Sequence, residues 1–241
     1  MRFQCSDCEK IISIDDSAMG TSISCAHCNS TVQVPAERIA SGVVISDYVI
    51  QRQLGQGRIA TVYLAHQISL DRLVAMKILS QELADESDFI MDFFTEARAA
   101  SRLNHPNIVQ AYAVNEEDGI YILVMEYIEG SDLKSILAKG GPLPLEKCLR
   151  ILHQIAEALS FCWEGYKMCH ENIKPENILL TKGNTAKLSD MGLAKAASFR
   201  ETSGDYCSPE KIIKSSIDIR TDLYGLGLIF FETLTGEKTF T

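Results

Sequence analysis

The central part of the chain reads His170-Glu171-Asn172-Ile173-Lys174-Pro175-Glu176-Asn177-Ile178-Leu179-Leu180. A short predicted hairpin follows, and after it the chain reads Ser189-Asp190-Met191-Gly192. Among the polar side chains of the two segments are two amides, an ammonium and a carboxylate: Asn172, Asn177, Lys174 and Asp190. The chemistry of this part of the chain depends on those four side chains.

Together the two segments resemble the catalytic loop and the metal-binding loop of protein kinases, whose patterns are H-R-D-x-x-x-x-N and D-F-G. Four residues match at those spacings: Lys174, Asn177, Asp190 and Gly192. Two positions depart, because Glu171 replaces the Arg and Asn172 replaces the catalytic Asp. The resemblance implies that Asn177 and Asp190 hold Mg²⁺ through hard oxygen ligands and that Lys174 contacts the transferring phosphoryl group.

Asn172 determines what activity the resemblance allows. A carboxamide has no useful basicity near neutral pH, so Asn172 can orient a hydroxyl group but cannot deprotonate it. A positioned general base contributes about 10²–10⁴-fold to rate, or roughly 3–5 kcal/mol of barrier. Phosphoryl transfer depends largely on positioning and electrostatics. We therefore expect a large deficit in rate rather than a total loss.

The segments before this region extend the resemblance back to Asp47. Residues 54–62 resemble the glycine-rich loop that approaches phosphates, with Ala60 in place of the third glycine. The positions that correspond to nucleotide contacts there are Leu54, Gly55, Gly57 and Val62. Val74-Ala75-Met76-Lys77 resembles the strand whose lysine contacts the α- and β-phosphates. A lone glycine-rich turn is a weak signal, and the lysine segment strengthens it.

A helix is predicted after this strand from the spacing of Phe89, Phe93, Ala97 and Ala100. Glu96 lies within it and is the expected partner of Lys77. Further along, Met125-Glu126-Tyr127-Ile128 resembles the segment that joins the two lobes. The resemblance implies Met125 as gatekeeper, backbone bonds from Glu126 and Ile128 to adenine, and Asp132 near the ribose. It also implies an apolar enclosure of the adenine ring: Val62, Ala75 and Leu179.

The last third of the chain fits the helical lobe of the same family. A buried helix is predicted from Leu145 to Trp163, with an apolar face of Leu149, Leu152, Ile155, Ala156 and Leu159.

Residues 193–206 correspond to an activation loop, in which Ser203 would face the substrate and Ser198 and Thr202 are candidate phosphorylation sites. Glu171 would repel a phosphate on that loop. Asp222 is expected to brace the catalytic loop. The chain stops at Thr241, before the further helices of the family, so the large lobe is expected to be incomplete.

Four cysteines near the N-terminus form two C-x-x-C pairs: Cys5, Cys8, Cys25 and Cys28. Their spacing is that of a four-thiolate zinc site, and short β-type runs flank the pairs at Ile11–Ile14 and Thr31–Val34. A module of this size cannot bury enough apolar surface to be stable alone, so metal binding would supply much of its folding energy. The pattern resembles a zinc ribbon. A redox C-x-x-C pair or two disulfides are the alternatives, and His27 is expected to be a spectator.

Composition narrows the class of protein. The 241 residues are 46% hydrophobic and 23% charged, as in globular proteins, and the net charge of −9 disfavours nucleic-acid binding. No N-terminal signal peptide or membrane span is recognisable. The remaining cysteines are scattered, which indicates reduced thiols and a cytoplasmic location.

These observations predict an α+β, two-lobed, kinase-like fold with a β-rich N-lobe and a helical C-lobe truncated after its central helix. The expected division is a zinc ribbon at 1–34, a linker at 35–46 and a kinase-like domain at 47–241, with lobes at 47–125 and 126–241. The leading hypothesis is a catalytically impaired Ser/Thr kinase that binds ATP, Mg²⁺ and structural Zn²⁺, and acts on a signalling partner as switch or scaffold. The alternatives are a slow Ser/Thr kinase with a protein substrate and a zinc-ribbon adaptor that binds no nucleotide.

Overall fold

The structure is a computed structural model that describes residues 1–84, 86–192 and 204–240. The chain divides into two compact units. The first contains Met1–Asp85 and Val114–Tyr127, and the second contains Glu86–Ala113 and Ile128–Thr241. The first unit is built mainly of strands and the second mainly of helices, which confirms the predicted α+β class.

The first unit is organised around an eight-stranded sheet in the order β2-β1-β5-β6-β7-β8-β10-β9. A separate pair, β3 and β4, completes the N-terminal ribbon. The strands are β1 Arg2–Gln4, β2 Ile11–Ser13, β3 Ser22–Ser24, β4 Thr31–Gln33, β5 Val43–Ile45, β6 Tyr48–Gln56, β7 Ala60–Gln67, β8 Arg72–Leu79, β9 Ala111–Glu117 and β10 Ile120–Glu126. A 3-10 turn at Asp16–Ala18 and helix α1 at Gln81–Ala84 also belong to this unit.

The ribbon is continuous with the main sheet. Residues 35–46, expected to be a linker, contain β5, whose three residues are all buried. β5 pairs with β1 of the ribbon on one edge and with β6 on the other. The reason lies in the composition of Val43-Val44-Ile45, a β-branched run that fits a pleated, buried surface better than a solvated connection. The sheet therefore has no break between the cysteine module and the strands that follow.

The second unit contains helices α2 Ser87–Ala100, α3 Leu133–Gly140, α4 Leu145–Tyr166, α5 Pro209–Ile212 and α6 Ile219–Thr235. It also contains a 3-10 turn at Pro175–Asn177 and a three-stranded sheet of β11 Gly130–Asp132, β12 Ile178–Thr181 and β13 Ala186–Leu188. Gly130 is required where β11 meets β12, because a Cβ there would lie 1.8 Å from the carbonyl oxygen of Leu180. No helix in the described ranges is long and apolar enough to span a bilayer.

The core of the second unit forms where α4 and α6 pack around residues 173–191. Ile155, Leu159 and Ile229 are at most 1% exposed within this core. The predicted α2 face is confirmed, since its buried residues are Phe89, Phe93, Ala97 and Ala100.

The predicted α4 face was wrong in part, because Leu149 is 50% exposed. Cys148 and Cys162 occupy the inward positions of α4 instead. Free cysteine behaves as a small, readily buried apolar residue. The buried face also includes Ile151 and Ala158, so the prediction missed two apolar residues as well as the cysteines.

Candidate functional site

The start of the loop from His170 to Asn177 is hydrogen-bonded to one buried carboxylate. Asp222, on α6, is 1% exposed, and its two oxygens accept the backbone N–H groups of His170 and Glu171, each at 2.7 Å. Burial raises the pKa of Asp222, and these two hydrogen bonds oppose the rise. Glu171 adopts a φ of +61°, a conformation that non-glycine residues seldom take. The predicted bracing role of Asp222 is thus visible in the geometry.

His170 connects this loop to the segment that carries Asp190. The imidazole is fully buried, and Nε2 lies 2.8 Å from the carbonyl oxygen of Ser189. Nδ1 accepts the backbone N–H of Asn172 at 3.2 Å. Since a carbonyl can only accept, Nε2 carries the proton and Nδ1 does not. This single tautomer links the two segments that the sequence singled out.

Asn177 has an orientation determined by hydrogen bonds. Its Nδ2 donates to the carbonyl oxygen of Asn172 at 2.8 Å, and its side chain is buried, with the residue 5% exposed. The carbonyl of Asn177 accepts the backbone N–H of Ser189 at 2.8 Å. Because the amide nitrogen is engaged as a donor, the amide oxygen is the atom of this side chain that is able to act as a metal ligand. That oxygen suits a hard cation such as Mg²⁺.

Asp190 lies one residue beyond Ser189 and has a φ of +60°. Backbone strain of this kind in a non-glycine residue persists only where the surroundings impose it. Met191 follows and is 3% exposed, and Gly192 has a φ of +76°. A carboxylate at Asp190 and an amide oxygen at Asn177 are both hard oxygen ligands, so this donor set fits Mg²⁺. The assignment of these residues to a metal stays a prediction.

Lys211 supplies a contact that the sequence did not reveal. Its Nζ donates to the carbonyl oxygen of Glu171 at 2.6 Å, which ties α5 to the catalytic segment. Next to it, Glu210 accepts a hydrogen bond from the hydroxyl of Thr221 at 2.6 Å. Both partners are distant in sequence, and no local pattern marks either pair. The predicted loop residues Ser198, Thr202 and Ser203 lie outside the described residues.

Asp132 and Leu179 lie opposite each other in the small sheet, where β11 pairs with β12. The carboxylate of Asp132 caps α3, because it accepts the backbone N–H of Ser135 at 2.8 Å and the Ser135 hydroxyl at 2.6 Å. A helix cap is therefore the role that the geometry assigns to Asp132. Its predicted place near a ribose is not tested by this contact.

The first unit carries the other predicted nucleotide residues on its sheet. Val62 lies opposite Lys77, and Ala75 lies opposite Met125. Because alternate residues of a strand share a face and directly paired residues point the same way, these four side chains share one face of the sheet. The ammonium of Lys77 therefore lies on the same face of the sheet as three apolar side chains. A nucleotide needs such a combination, with a cation for its phosphates and apolar groups for its base.

The glycine-rich segment forms the hairpin between β6 and β7. Gly55 pairs with Val62, and the backbone N–H of Gly57 donates to the carbonyl of Ala60 at 2.9 Å. A Cβ on Gly55 would meet nothing within 4 Å, so the outer surface of the hairpin is open. Leu54 is 37% exposed beside it. An open hairpin of this kind allows backbone amides to approach a phosphate.

Several predicted pairs have one member in each unit. Lys77 lies on β8 of the first unit and Glu96 on α2 of the second. Likewise, Glu126 ends β10 in the first unit and Ile128 begins the second.

Lys174 belongs to the second unit and forms the N-terminal boundary of the 3-10 turn at Pro175–Asn177. The Lys77–Glu96 pair and the adenine contacts stay predictions.

The four N-terminal cysteines converge on one point. All four sulfur atoms lie within 4.8 Å of one another, and Cys5–Cys28 and Cys8–Cys25 are each 3.8 Å apart. Tetrahedral zinc with bonds of about 2.3 Å to sulfur places its ligands about 3.8 Å apart. A disulfide needs about 2.05 Å, which neither pair approaches. The donor set fits zinc, and His27 is not among the clustered ligands.

The two C-x-x-C turns have the same backbone geometry. The Cys5 N–H donates to Lys10 O at 2.9 Å and the Cys25 N–H donates to Ser30 O at 2.8 Å. In each turn the residue after the second cysteine, Glu9 or Asn29, has a φ near +60°. The repeat of one turn type on both sides directs two thiols from each turn to the same point.

The thiols of this cluster differ strongly in acidity. Hydrogen bonds from Ser30 lower the pKa of Cys28 to about 6. A backbone hydrogen bond at Lys10 lowers the pKa of Cys8, but burial and the neighbouring thiols outweigh it and raise that pKa to about 12. One thiolate therefore forms readily, and binding of a metal ion by all four must release protons.

Comparison with known proteins found matches over most of the chain. The protein kinase domain family model matches residues 48–241. Serine/threonine-protein kinase PrkC of Bacillus subtilis is 41% identical over 201 residues, which are 80% of this chain and 31% of PrkC. Serine/threonine-protein kinase PknB of Mycobacterium leprae is 36% identical over 200 residues, or 78% of this chain and 32% of PknB. The chain thus spans about a third of the length of these relatives.

The fold comparison agrees with the sequence comparison. The crystal structure of the Mycobacterium tuberculosis PknI kinase domain superimposes with a TM-score of 0.73 at 28% identity. The match covers 84% of this chain and 78% of that domain. It confirms the predicted kinase-like architecture.

Proposed function

This chain belongs to the protein kinase domain family, and from that premise we propose that it binds Mg-ATP but is catalytically impaired in the transfer of phosphate to protein hydroxyl groups. The relatives are serine/threonine kinases, which supports ATP as the nucleotide and proteins as the second substrate. The observation that carries the proposal is an ordered catalytic segment with Asn172 at the position of the catalytic base. The protein would act as a signalling switch or scaffold through its nucleotide-bound state.

The proposed roles follow the geometry of each unit. In the first unit, the hairpin amides near Gly55 and Gly57 bind phosphates and Lys77 contacts the α- and β-phosphates. Val62 and Ala75 contact adenine, and Met125 is the gatekeeper. Glu126 and Ile128 bond adenine through their backbones. In the second unit, Asn177 and Asp190 hold Mg²⁺, and Lys174 contacts the γ-phosphate. When bound, the metal ion neutralises charge on the phosphate oxygens.

The chemical step exposes the defect. A substrate hydroxyl oxygen forms a bond to the γ-phosphorus while the bond from that phosphorus to the β–γ bridging oxygen breaks, and ADP leaves. The hydroxyl proton must go to a base. Asn172 can hold the hydroxyl group by a hydrogen bond but cannot take its proton, so the proton passes to water or to the phosphate itself. The expected deficit is about 10²–10⁴-fold relative to a carboxylate.

A slow but real kinase is the second candidate, and one observation favours it. The backbone of the catalytic segment is fully braced by Asp222, His170 and Asn177, so positioning is retained where only the base is absent. Because positioning and electrostatics supply most of the catalysis of phosphoryl transfer, measurable turnover is compatible with this geometry.

The four-cysteine cluster adds a structural zinc ion to the proposal. Its sulfur separations of 3.8 Å match a tetrahedral site. Zinc in this position stabilises the ribbon and takes no part in phosphate transfer.

Calorimetric titration with ATP, with and without Mg²⁺, tests the proposal when it is combined with a phosphotransfer assay on the same preparation. Mg-ATP binding with slow or barely measurable turnover is the expected result. Asp190→Ala should remove the Mg²⁺-dependent part of binding. Turnover at rates of ordinary kinases would establish an active enzyme, and no binding of nucleotide by folded protein would establish the adaptor.

A further inference from the structure

β6, the strand that carries the glycine-rich hairpin, pairs with β7 along its length but is buried only at its start. In β6, Tyr48, Val49 and Ile50 are 4%, 3% and 1% exposed. All residues from Gln51 to Gln56 are exposed, and Gly55 lies among them. The buried packing contacts of β6 are therefore concentrated in the three residues at the start of the strand.

β5 holds that buried end. Val44 pairs with Val49, Ile45 pairs with Tyr48, and the backbone N–H of Gly42 donates to the carbonyl of Ile50 at 2.7 Å. β5 is only three residues long, and all three are buried. β6 pairs with β7 on its other edge, so β5 covers the edge of β6 that faces the ribbon.

The support for β5 on its other edge comes from the ribbon. Val43 pairs with Phe3 and Val44 with Arg2, both in β1. The backbone N–H of Gln4 donates to the carbonyl of Gly42 at 2.8 Å. Gly42 thus bonds to both neighbouring strands, and its φ of +85° is one that only glycine adopts without strain.

β1 in turn depends on the cysteine cluster. Phe3 and Cys5 are 2% and 1% exposed within a small core that also contains Ile12, Cys25, Val32 and Val34. Cys5 follows β1 directly, so a metal ligand lies one residue beyond the strand. A core of this size does not stabilise a module alone, and the free energy of metal binding becomes free energy of folding.

We propose that zinc at the four-cysteine site controls nucleotide binding, because it keeps β1 folded against β5 and thereby anchors the strand that carries the glycine-rich hairpin. The nucleotide half of this statement rests on the proposed function. Without zinc, β1 loses its core, β5 becomes an unsupported edge and the buried end of β6 loosens. Only a fraction of molecules then holds a binding-competent hairpin, and the apparent affinity falls by that fraction.

Hydrogen exchange measured by mass spectrometry tests the anchoring directly on the full chain. Zinc-loaded protein is compared with protein treated with a chelator, with zinc content measured by elemental analysis. Exchange in a peptide covering residues 48–56 should become at least about tenfold faster without zinc and return to its original rate when zinc is added back. A peptide from α4, in the second unit, serves as the internal control. Unchanged exchange at 48–56 in zinc-free protein would overturn the proposal.

Two variants separate the metal from the strand connection. Cys28→Ser removes a ligand and should reproduce the zinc-free exchange, whereas Cys207→Ser, far from the cluster in sequence, is the matched control. Gly42→Val should retain zinc but exchange rapidly at 48–56 whether or not zinc is present. If Cys28→Ser does not fold, chelation and Gly42→Val still decide the matter. Zinc-sensitive protection at 48–56 that persists in Gly42→Val would contradict the connection through β5.

Titration with Mg-ATP tests the functional half. Affinity should fall by about tenfold on zinc removal if the competent fraction falls to about a tenth. Equal affinity with and without zinc would overturn the control of nucleotide binding. If zinc-loaded protein binds no Mg-ATP at all, the proposed function is wrong, and so is the control of nucleotide binding by zinc. The anchoring of β6 is tested separately, by the exchange measured at residues 48–56.

Discussion

Arg2 and Glu117 lie 115 residues apart in the chain, yet Nη2 of Arg2 is 3.1 Å from Oε1 of Glu117. The same Nη2 donates to the carbonyl of Ser46 at 2.9 Å, and the Ser46 hydroxyl donates to Glu117 Oε2 at 2.6 Å. Arg2 belongs to β1 and Glu117 to β9, which are near opposite ends of the strand order. The ribbon therefore contributes to closing the sheet as well as extending it.

Glu117 should make stability depend on pH in the acid range. Burial raises its pKa, but hydrogen bonds from Ser46 and Arg2 outweigh burial, so the net pKa is below the ordinary 4.5. A carboxylate with a lowered pKa stabilises the fold above its unfolded pKa, and this contribution is lost as pH falls through the folded value. Glu117→Gln should cost about 1–2 kcal/mol at pH 7 and flatten the loss of stability below pH 4.5. Urea unfolding from pH 7 to pH 3 measures both.

Glu146→Gln, on an exposed turn of α4, is the control for the Glu117 variant. It should leave the acid dependence of unfolding as in the unmodified protein. A Glu117→Gln protein that loses stability in acid as steeply as the unmodified protein would show that this carboxylate does not contribute.

Metal analysis should find one zinc ion per chain. The expectation follows from the sulfur separations of 3.8 Å, which fit tetrahedral ligation. Cys25→Ser should lose the metal and melt the ribbon, because the ribbon core cannot compensate for the missing metal. Cys207→Ser should retain it. Protein purified without chelator that contains no metal would rule out the site.

Asn172→Asp should restore turnover. If the missing base is the main defect, phosphorylation of a test protein or peptide should rise by about 10²–10⁴-fold. ATP affinity should change little, because residue 172 is proposed to contact the hydroxyl group of the protein substrate and not the nucleotide. Steady-state rates of both proteins under saturating Mg-ATP provide the measurement.

Two results would contradict the base argument for Asn172. Equal turnover of both proteins at a high rate would mean that Asn172 is no defect. Binding of ATP without turnover by either would place the defect in the docking of the protein substrate.

The stability of the protein should depend on how many acceptor oxygens remain at position 222. Asp222→Ala leaves the amides of His170 and Glu171 without their acceptor, at a cost of about 2–4 kcal/mol for two buried donors. Asp222→Asn keeps one oxygen and should cost less. Chemical unfolding of the three proteins should therefore give the order Asp, Asn, Ala. Equal stability of the Ala and Asn variants would show that the amides find other partners.

The parts of the fold that the sequence predicted are those with local signals. The spacing of Asn177 and Asp190 marked two segments that the structure joins through His170, and the paired C-x-x-C turns identified the cysteine cluster. The contacts of Lys211 with Glu171 and of Thr221 with Glu210 were missed, because each joins side chains or backbone groups of different elements. Such pairs depend on packing that no short window of sequence encodes.

β5 was missed for a different reason. It is three residues long and lies among polar residues, so its β-branched run was too short to stand out from a linker. Its identity as a strand depends on two partners, β1 and β6, that are already in place. A strand this short is defined by its neighbours more than by its own propensity.

The position of β5 has a consequence for synthesis of the chain on the ribosome. Residues 1–34, with all four cysteines, emerge before residues 43–56, and chains grow at roughly 5–20 residues per second. If the ribbon binds its metal by then, β1 is already folded when β5 leaves the exit tunnel, and the sheet would grow outward from a metal-stabilised ribbon. Zinc supply during translation would then affect how much of the newly made protein reaches the folded state.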